Sequence, residues 1–122
     1  MKSFIDLHEG REFLGLGAPV RRLVHPLTTG SVALGVSICL IPPESSIKNH
    51  RHSYEEAYFV VEGRGVMQLE GVGEIELFPG RSVYIAPNLV HGQVNTSKID
   101  ELKILCCLAP PPVEGQPPDL VD

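Results

Sequence analysis

Between residues 57 and 108 the chain is cut into short pieces by glycine, proline and asparagine, and none of the pieces shows the period of an amphipathic helix. The pieces read as strands at 57–62, 66–70, 74–78, 82–86, 90–95 and 101–108. Between them lie Gly63-Arg64-Gly65, Gly71-Val72-Gly73, Pro79-Gly80, Pro87-Asn88 and the stretch 96–100. Short strands spaced this evenly predict an all-β sandwich or barrel. A longer strand is expected over 32–41, where Val32, Leu34, Val36, Ile38 and Leu40 alternate with the smaller Ala33, Gly35, Ser37 and Cys39. One face of that strand is bulky and apolar, and the other leaves room. Pro42-Pro43 ends it, and a polar stretch leads on to His50.

Residues 1–19 give no secure period and read as an irregular arm or a short edge strand. A strand over 20–25 is expected to stop at Pro26 and the Thr28-Thr29-Gly30 turn. The end of the chain carries proline at 110, 111, 112, 117 and 118, positions that cannot donate to a ladder, so it reads as an extended tail, either free or laid across the domain. The expected organisation is one domain: an arm with a first strand (1–30), a β-barrel (31–109) and a proline-rich tail (110–122). A chain of 122 residues is near the commonest size for one core.

A net charge of −5 argues against a nucleic-acid surface. No apolar run reaches the length of a membrane span, and Asp6 and Glu9 interrupt the N-terminal apolar residues, so a cytoplasmic protein is expected. Cys39, Cys106 and Cys107 form no even disulfide framework and read as reduced core thiols.

The chemistry concentrates in residues 50–63, which hold His50, His52, Glu56 and the terminating Gly63, and in a second segment around His91. An extended backbone puts His50 and His52 on one face; a helix would not. Likewise His91, Gln93 and Asn95 share one face of a strand. Tyr58 has the parity of Glu56, and Gln93 that of His91, so each is a candidate proton donor or substrate-orienting group, with plain packing as the alternative. Arg21 and Arg22 offer planar forks for a carboxylate, but adjacent residues on a strand face opposite ways, so at most one points inward. Gly63-Arg64-Gly65 reads as a hairpin turn rather than a phosphate nest, because no helix follows. Met67 reads as core filling, and His8 and His25 as surface residues.

The pattern His50-x-His52-x3-Glu56-x6-Gly63 resembles the first motif of the cupin superfamily. The stretch from Gly80 through Pro87 and His91 to Asn95 is similar to the second, except that Ala86 replaces a usual proline and Asn88 a usual glycine. Asparagine tolerates the left-handed backbone that a glycine would adopt. The resemblance implies a double-stranded β-barrel, or jelly roll, with a metal bound by His50, His52, Glu56 and His91; Glu55 fits the spacing less well than Glu56. Three neutral imidazoles and a carboxylate favour Fe(II) or Mn(II), with Zn(II) or Ni(II) as alternatives, over Mg(II) or Ca(II). On an octahedral ion, four protein ligands leave two positions for other molecules. The expected function is a metal-dependent enzyme acting on a small enol, carboxylate or sugar-like molecule. A dioxygenase is the most concrete form. The alternatives are a non-redox isomerase, epimerase or lyase, and a non-enzymatic ligand-binding protein. A homodimer is expected by the same resemblance, with the bulky face of strand 32–41 as a packing surface.

Overall fold

A computed structural model describes residues 1–122. Eleven strands follow a short 3-10 turn at Leu7–Glu9: β1 (Arg11–Phe13), β2 (Val20–Val24), β3 (Gly35–Ile41), β4 (Ser46–Arg51), β5 (Glu55–Glu62), β6 (Gly65–Leu69), β7 (Gly73–Leu77), β8 (Ser82–Ile85), β9 (His91–Asn95), β10 (Leu102–Ala109) and β11 (Asp119–Leu120). They form two antiparallel sheets, ordered β1-β2-β3-β10-β5-β8 and β11-β4-β9-β6-β7. The all-β jelly-roll architecture is present, but the two sheets are not closed into the expected barrel. Each keeps its own edges, because the strands that would join them pair only within their own sheet. No helix is long and apolar enough to cross a membrane.

Alternation along the strands builds the space between the sheets. On β3 the small face, Gly35, Ser37 and Cys39, points inward with Ile41, and the bulky Val36, Ile38 and Leu40 point outward. On β10, Leu102, Ile104, Cys106 and Leu108 point inward. Met67, Leu69 and Leu77 close the opposite sheet, and together with Val60 and Ile85 these side chains form one continuous core. Burying each such side chain contributes roughly 1.5–3 kcal/mol. Met67 therefore fills the core as expected. The small face of β3 leaves room at one end of the sandwich, and the polar groups gather there.

Three local expectations need correcting. The strand expected from residue 32 begins only at Gly35, and Val32 is exposed. Gly63-Arg64-Gly65 is not a hairpin turn: β5 and β6 belong to different sheets, so this turn carries the chain from one layer to the other. Gly63 has φ +90°, and a Cβ there would meet the backbone of Glu101 and lie 2.8 Å from Cα of Leu102, which is why no side chain fits. His25, expected at the surface, is buried. Its Nδ1 accepts the N–H of Leu27 at 3.1 Å, and its Nε2 therefore donates to the Pro112 carbonyl at 2.8 Å. That bond, and the pairing of Asp119–Leu120 with Arg51 and His50, lay the tail across the domain.

Candidate metal centre

His50 lies on β4 and His52 just beyond its end, with exposed Arg51 between them, so the two imidazoles share one side as an extended backbone requires. Ile47 and His50 are both buried although they are three residues apart, a spacing that regular alternation forbids. A bulge between them, with exposed Lys48 and Asn49, restores the parity and aims His50 inward. Gly92 lies beside this bulge; a Cβ there would crowd the Asn49 side chain and stand 3.0 Å from its backbone nitrogen. His91, at the start of β9, is the register partner of His50. The turn before it uses Asn88 at φ +66°, whose N–H donates to the carbonyl of His52 at 2.8 Å and joins the two histidine segments. Glu56 points inward from β5, whereas Glu55 points out and accepts the Tyr84 hydroxyl at 3.1 Å.

One ring nitrogen from each of His50, His52 and His91 falls within 4.8 Å of the other two, and all three residues are buried. Each Nδ1 faces a backbone carbonyl: that of Lys48 for His50 at 2.7 Å, Tyr54 for His52 at 2.9 Å and Leu89 for His91 at 2.8 Å. A carbonyl only accepts, so Nδ1 carries the hydrogen in all three rings and a neutral ring presents its Nε2 lone pair. Such backbone anchoring of the far nitrogen is how ligating imidazoles are oriented. Nε2 of His91 is buried with no hydrogen-bond partner. Oε1 of Glu56 stands 3.0 Å from Nε2 of His52 and 3.5 Å from Nε2 of His91. Acceptors converging on acceptors, one of them orphaned, are satisfied by a proton on a ring or by a cation among them, so His50, His52 and His91 could hold a metal ion. A divalent transition ion fits this donor set.

The electrostatics run the same way. Burial, helped by the nearby His91, lowers the pKa of His50 to about 4, so its ring is neutral at pH 7. Burial pushes the Glu56 carboxyl up; with protons rather than an ion on Nε2 of His52 and His91, those rings more than offset this and hold it below its ordinary value. Both effects keep the groups in forms that bind metal.

Tyr58 and Gln93 are both buried and meet each other, the Gln93 amide donating to the Tyr58 hydroxyl at 3.2 Å. The Tyr58 ring stands edge-on to His91 with centroids 6.2 Å apart. Burial, then the neighbouring Glu56, raises the Tyr58 pKa well above 10, so the hydroxyl keeps its proton. Asn95, on the same face, is spent structurally: its amide holds the carbonyls of Ile41 and Asp100 at 2.9 and 2.8 Å. Of the two arginines, Arg22 points inward, and Arg21 turns back to the carbonyl of Gly10.

A cavity of about 40 Å³ adjoins the histidines, walled by His50, His52, Glu56, Tyr58 and Arg22 together with apolar and thiol side chains. Tyr54, absent from the sequence-based candidates, also lines it and stacks on His52 with centroids 3.9 Å apart. Its parity with His52, Glu56 and Tyr58 was the available signal. Pro112 and Pro118 bring the tail to the same cavity, and nothing local in the sequence announces that.

The protein-family model described as "Cupin domain" matches residues 37–108. The chain belongs to the cupins. An uncharacterized protein of Methanocaldococcus jannaschii is 35% identical over 96 residues, covering 78% of this chain and 75% of that protein. Auxin-binding protein T85 of Nicotiana tabacum is 30% identical over 106 residues, 75% of this chain, which spans 57% of that relative. Among solved structures, the polyketide cyclase RemF of Streptomyces resistomycificus superposes with a TM-score of 0.78 at 21% identity, covering 100% of this chain and 87% of RemF. That likeness carries the fold. The matched residues 37–108 include all three clustered histidines and Glu56.

Proposed function

We propose that this cupin is a metal-dependent enzyme that moves a proton on a small enolisable carbonyl or carboxylate compound, as an isomerase, epimerase or lyase. The observation that carries this reading is the Tyr58–Gln93 pair beside the histidine cluster. The Gln93 amide donates to the phenol oxygen at 3.2 Å, and the only acceptor the tyrosine's own proton has is Gln93 Oε1 at the long distance of 3.5 Å, a weak bond that a ligand oxygen or carbon base in the cavity can replace. The raised pKa of Tyr58 keeps that proton in place until a strongly basic enolate or carbanion accepts it. In this reading His50, His52, His91 and Glu56 hold Fe(II), Mn(II), Zn(II) or Ni(II). The ion supplies Lewis acidity toward a substrate oxygen. The apolar wall from Leu16, Val20, Ile47 and Leu108 excludes water from the reacting end.

Deuterium exchange tests this without knowledge of the natural product. Protein loaded with Zn(II) is incubated in D2O with simple 2-oxo acids and 1,3-dicarbonyl compounds, and exchange at the acidic carbon is followed by NMR. Exchange should depend on metal and fall by about a hundredfold or more in Tyr58→Phe. No exchange with Zn(II), alongside oxygen consumption with Fe(II), would replace it with the dioxygenase reading, which the three-imidazole, one-carboxylate donor set favours. The tobacco relative's name favours a third reading, a ligand-binding protein. There Glu56→Gln should leave binding intact with no turnover to lose.

A homodimer belongs to the same proposal. Val36, Ile38, Leu105, Phe59 and Tyr84 lie on the outward side of neighbouring strands β3, β10, β5 and β8, a continuous apolar band for a second copy. A monomer mass from light scattering would remove that part alone.

A further inference from the structure

We propose that Arg22 anchors a carboxylate group of the substrate, and that Glu114 in the C-terminal segment occupies that anchor until substrate displaces it. The proposed function is assumed only for where the reacting end of the substrate lies. Arg22 is 7% exposed and shares the wall of the inner cavity with His50, His52 and Glu56. The same side chain also lines an outer cleft of about 480 Å³, bounded by residues 9–13 on one side and 113–117 on the other. Its guanidinium stands where the two spaces meet, over the ring of Phe13 at 4.7 Å.

A buried guanidinium needs an anion, and its planar fork suits two parallel bonds to a carboxylate. In this structure the fork makes a single hydrogen bond, from an Nη of Arg22 to Oε2 of Glu114 at 3.4 Å. Charge-assisted bonds ordinarily close to about 2.7–2.9 Å. The other oxygen of Glu114 is taken by Arg11 at 3.1 Å, and the Glu114 side chain is 49% exposed. A half-solvated carboxylate shared between two arginines is a loose partner for a buried cation. It sits in a turn with Gly115 at φ +82°, between two fixed points: Pro112, bonded to His25, and β11, paired with β4. The turn's own backbone bond, from Gln116 N–H to the Val113 carbonyl at 3.1 Å, involves neither fixed point, so displacing the Glu114 side chain breaks neither.

The other carboxylates at the outer cleft do not compete for Arg22, and Arg11, the second cation there, is half-exposed where Arg22 is buried. Glu9 is engaged by Lys2 at 2.6 Å, and Glu12 is exposed at the rim. The inner cavity admits a few water-sized groups and no more. Two outer clefts adjoin the inner cavity, one at Arg22 and one of about 260 Å³ at His52, Tyr54 and Pro118; the first is larger and has a buried cation in its wall, so a ligand that runs from the histidines into it passes Arg22. A carboxylate at that crossing replaces Glu114 without leaving the guanidinium unpaired. The substrate class is thus a short carboxylic acid with an enolisable or oxygenated group a few bonds from its carboxylate.

The test is binding of pyruvate, succinate and glutarate, each beside its amide, to the full chain with and without Zn(II), by calorimetry or ligand-observed NMR. Carboxylates should bind and amides should not. Arg22→Gln should weaken carboxylate binding tenfold or more, and Glu114→Gln should strengthen it several-fold by removing the internal competitor. Should Arg22→Gln fail to fold, Glu114→Gln and Arg22→Lys, which keeps the charge but not the fork, decide the matter. Carboxylate affinity unchanged by these substitutions, or amides binding as well as acids, overturns the anchor. Metal content measured on the same samples separates the two readings. Arg22-dependent binding in protein that takes up no metal leaves the anchor standing and removes the metal-dependent function, and metal uptake without Arg22-dependence does the reverse.

Discussion

Nε2 of His52 faces Oε1 of Glu56 at 3.0 Å while Nδ1 of the same ring donates to the carbonyl of Tyr54. With Nδ1 carrying the hydrogen, the pair is satisfied only by a second proton on the ring or by a cation between ring and carboxylate. Metal uptake should therefore stabilise the fold and release protons. At a hundredfold excess over its Kd, a bound ion adds about 2.7 kcal/mol. We expect Zn(II) or Mn(II) to raise the melting temperature of chelator-treated protein, with proton release seen as a buffer-dependent calorimetric heat. Glu56→Gln should weaken the effect tenfold or more, and His50→Ala with His52→Ala should abolish it. A melting temperature indifferent to every divalent transition ion would exclude a resident metal.

The three tyrosines make an alkaline prediction. Burial raises the pKa of Tyr54 and of Tyr58, and the hydrogen bond to Glu55 raises that of Tyr84, each from an ordinary value of 10.0. In the unfolded chain all three ionise near pH 10; in the folded chain half-buried Tyr54 and buried Tyr58 do not, while exposed Tyr84 is held up only by its bond to Glu55. The folded state then holds more protons, so stability is intact below pH 10 and declines as pH rises above it. Absorbance at about 295 nm should show no more than the exposed Tyr84 ionising before the circular dichroism signal is lost, and the other two tyrosines ionising with that loss. Ionisation of more than one tyrosine in folded protein near pH 10, beyond the exposed Tyr84, would contradict the packing of Tyr54 and Tyr58.

Much of the fold was legible because turn chemistry is local. The breaks at Gly71, Gly73, Pro79 and Gly80 mark the ends of β6, β7 and β8 to within a residue or so. β4 was not legible: its bulge puts Lys48 and Asn49 outward in succession, which hides the alternation. The division into two open sheets depends on which strands pair, a tertiary choice that alternation does not encode. At the site, strand parity puts His50 and His52 on one side, the resemblance to the second cupin motif names His91 beside them, and the structure brings a ring nitrogen of each within 4.8 Å of the others. The three Nδ1 anchors are backbone carbonyls, so no residue type signals them. Arg22 and Glu114 are 92 residues apart, and His25 is buried only because the tail lies over it.

Two glycines with similar φ separate backbone strain from close approach. Gly71, at φ +80°, has nothing within 4 Å of a Cβ position, whereas Gly63, at φ +90°, has the backbone of Glu101 and Leu102 against it. Gly71→Ala should cost only the left-handed penalty of about 1 kcal/mol. Gly63→Ala adds a collision that neither layer can relieve, and should cost at least about 2 kcal/mol more. Urea denaturation of both variants checks the difference. Equal losses would mean that the turn between β5 and β6 is looser than its packing indicates.

The three cysteines should divide one against two. Cys39 and Cys106 are buried on adjacent strands with sulfurs 3.6 Å apart, while Cys107, next in sequence, points outward from β10 and is exposed. This corrects the expectation that all three are core thiols: consecutive residues on a strand face opposite ways, so Cys106 and Cys107 cannot both be inside. The neighbouring Cys39 thiol, together with burial, pushes the Cys106 pKa well up, so it holds its proton and is a poor nucleophile. A thiol reagent such as an aromatic disulfide should modify one cysteine per native chain and three after denaturation. Cys107→Ser should remove the native reaction entirely. Reaction of two or more thiols in native protein would mean that the wall formed by Cys39 and Cys106 opens to solvent, and the cavity beside the histidines with it.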